Sequence, residues 1–460
     1  MDGKQKQYYV KANSEYKIEL VSALSDNGAG DVIEMFAPFY EKDPSLSGKP
    51  VSFTAVDDIT TSRLYSGKAK FKIYSPDGLF PEREFELELV SGIVQPEANT
   101  YMLKAGAKQG IFIPVSRVNT AYEYYKKLLD HDAVLSDKQG LPGSKEDFML
   151  NKLDADDDWR VNIVWTDIKE AGGHNDIEKA GLSELSEQGG SGPGSYIYVK
   201  PGQTPGNVLI EIKSGKIKGN PTLWSWHIWM CDFDADQTAQ RYQGASVDMM
   251  DRNVGALSSS YEGVASYGLF YQWGRKDPFM GAASIDGTPM ASTCQFEQLA
   301  SNADCTVDFA VANPTTFITC DLSTGNDWLY AGRQNELWTD VKTIYDPCPA
   351  GWRVPKGGPD GVWNQVSEGS YSADTSNHGV RFTLSSGGVA WYPCTGYLKR
   401  GNATIALAGL FADYWTTTTA SQTTTTFEIH VKNTAAESEI NLYCNNKSRG
   451  DGHAVRCQRQ

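Results

Sequence analysis

The chain has 460 residues, 40% of them hydrophobic and 11% aromatic, enough to build sizeable cores in two to four domains. Its 44 glycines, 20 prolines and many Thr, Val and Tyr residues favour a β-rich, turn-rich chain. A net charge of −15 argues against a nucleic-acid partner, whose phosphates demand Lys/Arg surfaces, and leaves cation and glycan ligands open.

Residues 1–92 read as an N-terminal β-sandwich module. Tyr16–Ala23 and Val51–Val56 are strand candidates, and Lys68–Tyr74 and Arg83–Val90 alternate charged with apolar residues. That period of two sends one face to a core and the other to water. Between the last two lies SPDGLFPE, where Pro76, Asp77 and Gly78 supply turn geometry. Four or more strands with such turns suggest an immunoglobulin-like module serving as spacer or subunit joint.

Gly92–Glu97 reads as a boundary, and residues 93–245 as a second β-domain. Strands are expected at Thr100–Leu103, Gly110–Val115, Val161–Trp165, Ser195–Val199, Asn207–Ile212 and Trp224–Met230, and a short helix at Ala121–His131. Trp224, Trp226, His227 and Trp229 share one strand. A glycan platform and a buried strand both fit, and the buried strand is the expected one. Asp232, Asp234 and Asp236 open like a calcium loop, but Gln237 and Gln243 stand where an EF-hand has Gly and Glu. These residues, and the cluster Asp154, Asp156, Asp157 and Asp158, are expected to be solvated turns. No cofactor is expected, since a structural calcium has no motif behind it.

Residues 246–460 form the third segment. Asp248–Leu257 is expected to form a strand and turn, Gly268–Gly274 a helix or helix start, and Arg275, Lys276 and Asp277 an internal ion network. Asn313–Asp340 carries Asn326, Asp327, Trp328, Glu336 and Trp338. Tyr345–Pro355 (YDPCPAGWRVP) holds three prolines and a glycine, which forbid a regular helix or central strand and make a rigid corner around Cys348 and Trp352. Gly379–Leu384 and Val389–Tyr392 follow as strands, and Ala412–Thr419, Thr424–Val431 and Val455–Gln458 as a closing sheet.

YDPCPAGWRVP together with the terminal GHAVRC resembles the Fibrobacter succinogenes major paralogous domain of bacterial surface lipoproteins and fimbrillin-like adhesins. MMDRNVGAL (Met249–Leu257), GLFYQWGRKDPF (Gly268–Phe279), NPTTF (Asn313–Phe317), NDWL (Asn326–Leu329) and ADYWTTTT (Ala412–Thr419) fall in that family's order. ANTYMLKAG (Ala98–Gly106) and WSWHIWMCDFD (Trp224–Asp234) are similar to the β-domain preceding it in fimbrillin-type proteins. The resemblance implies a mainly β chain: two tandem β-sandwich (immunoglobulin/fimbrillin-like) modules followed by an α+β C-type-lectin-like head.

All eight cysteines lie between Cys231 and Cys457, none spaced as CxxC, which points to disulfides in an oxidising compartment rather than to zinc. A Cys348–Cys457 bridge is expected to tie the corner to the last strand, and Cys394–Cys444 is the second candidate because both flank strands of the closing sheet. The pairing of Cys231, Cys294, Cys305 and Cys320 stays open.

The calcium-lectin signatures EPN and QPD are absent, and NDW at Asn326–Trp328 is not WND, so calcium-dependent sugar binding of that type is not expected. Asn326, Asp327, Trp328, Glu336 and Trp338 remain the candidate ligand-binding residues. The lectin-like fold also hosts formylglycine-generating enzymes, but no cysteine pair here matches theirs and the histidines form no legible triad, so no catalysis is expected. The expected protein is an exported surface adhesin, a fimbrial tip or accessory subunit. It would join other subunits by strand exchange, with residues 1–12 as the joining segment, and bind a host or microbial surface glycan or protein. The alternative is a glycan-capturing surface lipoprotein that stacks sugars on Trp328, Trp338 or Trp363. MDGKQKQYYV has no signal-peptide core, so an exported form is expected to have lost its signal, with outer-membrane anchoring indirect or through a removed lipid signal.

Overall fold

A computed structural model describes residues 6–9, 16–25, 36–37, 50–55, 67–89, 92–107, 109–130, 152–168, 181–185, 192–215, 221–261, 263–285, 287–289, 297–299, 305–319, 326–329, 335–420, 423–432, 434–435 and 437–460. The chain is mainly β and divides into two compact units, Met1–Gln95 with Lys108–Phe112, and Pro96–Ala107 with Ile113–Gln460.

In the smaller unit, Gly67–Tyr74 lies between Lys17–Ser25 and Arg83–Leu89, antiparallel to both. A second sheet joins Lys6–Tyr9, Pro50–Ala55 and Phe36–Ala37. The charge alternation sorts the side chains as the period of two requires. Phe71 is fully buried and stacks on its cross-strand partner Phe85 at 5.5 Å, while Lys70 pairs with Glu84 at 2.6 Å and Lys72 with Glu82 at 3.7 Å on the wet face. Lys6–Tyr9, within the segment expected to join subunits, is paired here with Pro50–Ala55; the rest of residues 1–12 lies outside the described residues.

The larger unit is built around the strand Thr222–Cys231, every residue of which is buried. Gly206–Ser214 flanks it antiparallel, and Thr100–Lys104 flanks it in parallel; Trp159–Thr166 continues the sheet. A strand covered on both faces has no use for polar alternation, which is why TLWSWHIWMC carries large side chains on each. Two helices, Arg117–Asp130 and Val307–Ala312, pack against it. The first begins four residues before the expected Ala121, and its Val118, Ala121 and Tyr125 point inward. The second starts where the Thr306 hydroxyl accepts from the Phe309 amide and caps the first turn.

Toward the C-terminus a seven-stranded sheet runs through Ile405–Ala406, Tyr397–Leu398, Gly452–Ala454, Phe411–Ala420, Thr423–His430 and Glu439–Ser448, with Phe270–Gln272 added beside Gly452–Ala454. Gly268–Gly274 is therefore not a helix: Phe270, Tyr271 and Gln272 are all buried and form a strand. The expected strand Val455–Gln458 is instead two short strands, Gly452–Ala454 and Gln458–Arg459. A three-stranded sheet, Tyr371–Asp374, Gly379–Thr383 and Val389–Pro393, supplies Val380, Phe382, Ala390 and Tyr392 to a core shared with Tyr414, Phe427 and Ile429. Segments 93–245 and 246–460 meet through buried polar contacts: Ser225 donates to Asp277 at 2.6 Å, beside the Lys276–Asp277 ion pair at 2.6 Å. Burial lowers the Lys276 pKa to about 8, and the neighbouring Asp277 opposes that shift.

Candidate functional site

The corner Tyr345–Pro355 is organised by one carboxylate. Asp346 Oδ1 accepts from the Cys348 amide and from Lys342 Nζ, each at 2.8 Å, and Oδ2 accepts from the Val354 amide at 2.8 Å. The Lys342 ammonium also donates to the carbonyls of Cys348 and Trp352, both at 2.7 Å. Prolines leave this segment with few internal hydrogen bonds, so a buried Asp–Lys pair takes up the exposed backbone groups. Asn99 donates to the carbonyls of Ile344 and Asp346, and Thr100 to that of Pro347, which ties the corner to the central sheet. Cys348 and Cys457 are bridged with Cα atoms 6.0 Å apart, as expected, and Trp352–Arg353 pairs with Gln458–Arg459 beside them.

Of the ligand residues chosen from sequence, Asp327, Trp328 and Trp338 are buried, whereas Asn326 and Glu336 are half-buried. Asp327 pairs with the buried Arg449 at 3.4 Å, and its Oδ1 accepts from the Leu329 amide at 3.1 Å. Burial raises its pKa, and Arg449 opposes the shift. Trp328 Nε1 donates to the Trp273 carbonyl at 2.7 Å and Trp338 Nε1 to that of Tyr345 at 2.9 Å. The Arg449 guanidinium lies 4.4 Å from the Trp273 ring centre, and Trp338 packs on Trp273 at 5.7 Å. Asn326 offers its backbone carbonyl to Gly450 and Ser448, and Glu336 offers its own to Tyr124. The side chains of Asp327, Trp328 and Trp338, and the backbone carbonyls of Asn326 and Glu336, tie parts of the larger unit together. Trp363, buried, donates to the Tyr392 hydroxyl at 3.1 Å. All twelve tryptophans of the chain are buried, so Trp328, Trp338 and Trp363 present no face on which a sugar could stack.

Cys394 and Cys444 do not form a bridge. Cys394 belongs to the aromatic core, where burial raises its pKa to about 12, whereas Cys444 is half-buried on the outer strand with its thiol on Asn446 at 3.2 Å. Flanking the same sheet in sequence did not put the two sulfurs on the same side of it. The thiol of Cys231 is also buried, and Cys294 and Cys320 lie outside the described residues. Among the described residues there is no group of three or more His, Cys, Asp or Glu side chains able to hold a metal; in the Asp232–Asp236 segment, Asp234 closes its own turn and Asp236 pairs with Arg459 at 2.8 Å.

One surface was missed in the sequence. Tyr261 is the single exposed aromatic ring among the described residues, at 42%. Its ring stands edge-on to Trp391 with centres 4.8 Å apart, and the Arg381 guanidinium lies 4.8 Å from it. Arg381 pairs with Asp374, and Val389 is exposed on the same strand pair. Gly379 makes room for this face, since a Cβ there would come within 2.4 Å of the Trp391 ring. Strand alternation sets the arrangement: Val380, Phe382, Ala390 and Tyr392 enter the core, which leaves Asp374, Arg381, Val389 and Trp391 on the opposite face. An accessible ring beside a paired guanidinium and carboxylate can stack on an apolar ring face and exchange hydrogen bonds with hydroxyls. The only sequence signal was the alternation itself, and Tyr261 comes from a loop over a hundred residues earlier.

Neither a protein family nor a curated protein matches the chain. Among solved structures, the D00-D0 domain of intimin aligns with 49% of this chain and 98% of its own at 11% identity and a TM-score of 0.14, an overlap too weak to carry an argument.

Proposed function

We propose that this protein is a non-enzymatic cell-surface adhesion protein, a fimbrial tip or accessory subunit, whose residues 246–460 form a lectin-like head. The observation that carries the reading is the bridged corner. The residues that give the resemblance to the Fibrobacter succinogenes major paralogous domain, Asp346, Cys348, Trp352 and Cys457, are the ones whose contacts build it. A buried structural disulfide fits an oxidising compartment, and so an exported chain. The face around Tyr261, Arg381 and Asp374 is where the head would meet its ligand, because the other aromatic rings near the former candidates are spent inside.

The test is immunogold electron microscopy of the source cells with antibody against residues 246–460. Gold at filament ends supports a tip adhesin, and gold along filaments an accessory or shaft subunit. Gold over the cell body without filaments overturns the fimbrial reading, and gold only inside sectioned cells overturns the adhesion reading altogether.

A further inference from the structure

The seven-stranded sheet lays one face on the aromatic core and carries a charged cluster on the other. Phe411–Ala420 sends Ala412 and Tyr414 into that core, so Phe411, Asp413 and Trp415 face the opposite way. Asp413 is the cross-strand partner of Glu428 on Thr423–His430. Glu439–Ser448, outermost in the sheet, pairs with the far side of that strand and carries Lys447 near its end. Lys447 Nζ lies 3.2 Å from Asp413 Oδ2 and also donates to the Glu428 carboxylate. Three adjacent strands thus bring one amine and two carboxyl groups to a single point. The side chain of Asp413 is 1% exposed, that of Lys447 18% and that of Glu428 20%.

Two carboxylates here share one ammonium, which leaves surplus negative charge where water is scarce. The neighbours bring no second cation. The Phe411 ring centre is 4.9 Å from Lys447 Nζ, and His453, with Nδ1 3.8 Å from Asp413 Oδ2, is buried with neither ring nitrogen hydrogen-bonded. Burial holds the His453 pKa well below its ordinary value, so the ring stays neutral. Burial raises the Asp413 pKa to about 7 against the pull of Lys447 and Thr426, so a large share of molecules carries the neutral acid at neutral pH. Thr426 Oγ1 donates to Asp413 Oδ1 at 2.6 Å, which fixes the carboxyl plane and draws electrons from its carbon. Burial also lowers the Lys447 pKa, but Asp413 and Glu428 outweigh it and keep the group above its ordinary value. The amine must therefore pass a proton to a neighbour before it can attack, and Glu428, in contact with Nζ, is placed to take it.

We infer that Lys447 and Asp413 condense in the folded protein, forming an amide between Nζ and Cγ with Glu428 as the proton carrier. The Lys447 ammonium gives a proton to Glu428, and the freed lone pair attacks Cγ of the neutral Asp413 carboxyl group. Oδ1, held by Thr426, remains as the carbonyl oxygen. The Cγ–Oδ2 bond breaks, and the hydroxyl leaves as water with a proton from the nitrogen. One C–N bond forms, one C–O bond breaks, and Glu428 releases its proton to solvent; nothing is oxidised or reduced, and no co-reactant is needed. Holding the two groups together in advance removes the entropy cost of a bimolecular condensation. The product exchanges a buried cation and a buried acid for a neutral amide. It also staples the outermost strand, Glu439–Ser448, to Phe411–Ala420 across the strand between them.

The experiment is intact-mass spectrometry of the full chain after reduction, followed by peptide mapping. The expected mass is one water below that of the sequence, with a branched peptide joining the segments around Asp413 and Lys447. Lys447→Arg keeps the charge but cannot form this amide, and it should show the full sequence mass. Glu428→Gln keeps the shape and removes the proton carrier, so it should fold and show the full mass as well. Full sequence mass in the wild-type protein overturns the assignment. So does a loss of water mapped to other residues, or one that persists in Lys447→Arg, which would mark a cyclised aspartate instead. A loss that persists in Glu428→Gln overturns the role given to Glu428.

Discussion

Removing the Cys348–Cys457 bridge should cost the larger unit about 5 kcal/mol of stability. The two cysteines are 109 residues apart, and both are fully buried. A cross-link over that span restricts the unfolded chain by about 16 cal/mol/K in the loop-entropy treatment, which is about 5 kcal/mol at 25 °C. The perturbation is the double variant Cys348→Ala, Cys457→Ala, in which no hydroxyl is left buried without a partner. The assay is urea unfolding followed by tryptophan fluorescence. All twelve tryptophans lie between Trp159 and Trp415, so the signal reports the larger unit alone. The unfolding midpoint should fall, with wild-type protein under reductant shifting to the same place. A change below about 1 kcal/mol would refute the reasoning, because the corner would then be held by Asp346 and its hydrogen bonds without need of the bridge.

Asp327→Ala leaves Arg449 buried without its carboxylate and should destabilise the same unit by about 3–5 kcal/mol in urea titration. Trp226→Ala empties a fully buried site in the central strand and should cost about 3–5 kcal/mol, read the same way. His227 is buried and its pKa is lowered to about 3, against an unfolded value near 6.5, so the unfolded chain binds a proton that the folded chain refuses. Stability from this group is full above about pH 6.5 and declines as the pH falls, by about 2 kcal/mol at pH 5. His227→Gln should reduce that decline without removing it, since burial holds His453 down in the same direction. Tyr261→Ala should leave the unfolding midpoint nearly unchanged and lower adhesion of cells carrying it, as counted in a binding assay on the host surface; unaltered adhesion would move the ligand face elsewhere.

Local rules were legible in the sequence, and tertiary partners were not. The charge alternation of Lys68–Tyr74 and Arg83–Leu89 gave both strands and their wet face, because a period of two has one structural solution there. The uncharged run at Thr222–Cys231 pointed to a buried strand for the same kind of reason. The proline corner was visible as a break, but the carboxylate that satisfies it was not, since nothing local distinguishes Asp346 from a turn aspartate. Trp328 and Trp338 looked like sugar platforms beside Asn and Asp residues. Their indole N–H groups are instead taken by the carbonyls of Trp273 and Tyr345, contacts that only the fold creates. Gly268–Gly274 misled because a short apolar run covered on all sides carries no period to separate helix from strand. Tyr261 and Arg381 are 120 residues apart, so their meeting leaves no trace in either neighbourhood.

The central claim is that this chain works on the outside of the cell. Intact source cells labelled with a membrane-impermeant amine reagent, then lysed and probed with antibody to residues 246–460, test it directly. The account predicts labelled protein from intact cells, with the Cys348–Cys457 peptide recovered in bridged form. Labelling that requires prior lysis would contradict it.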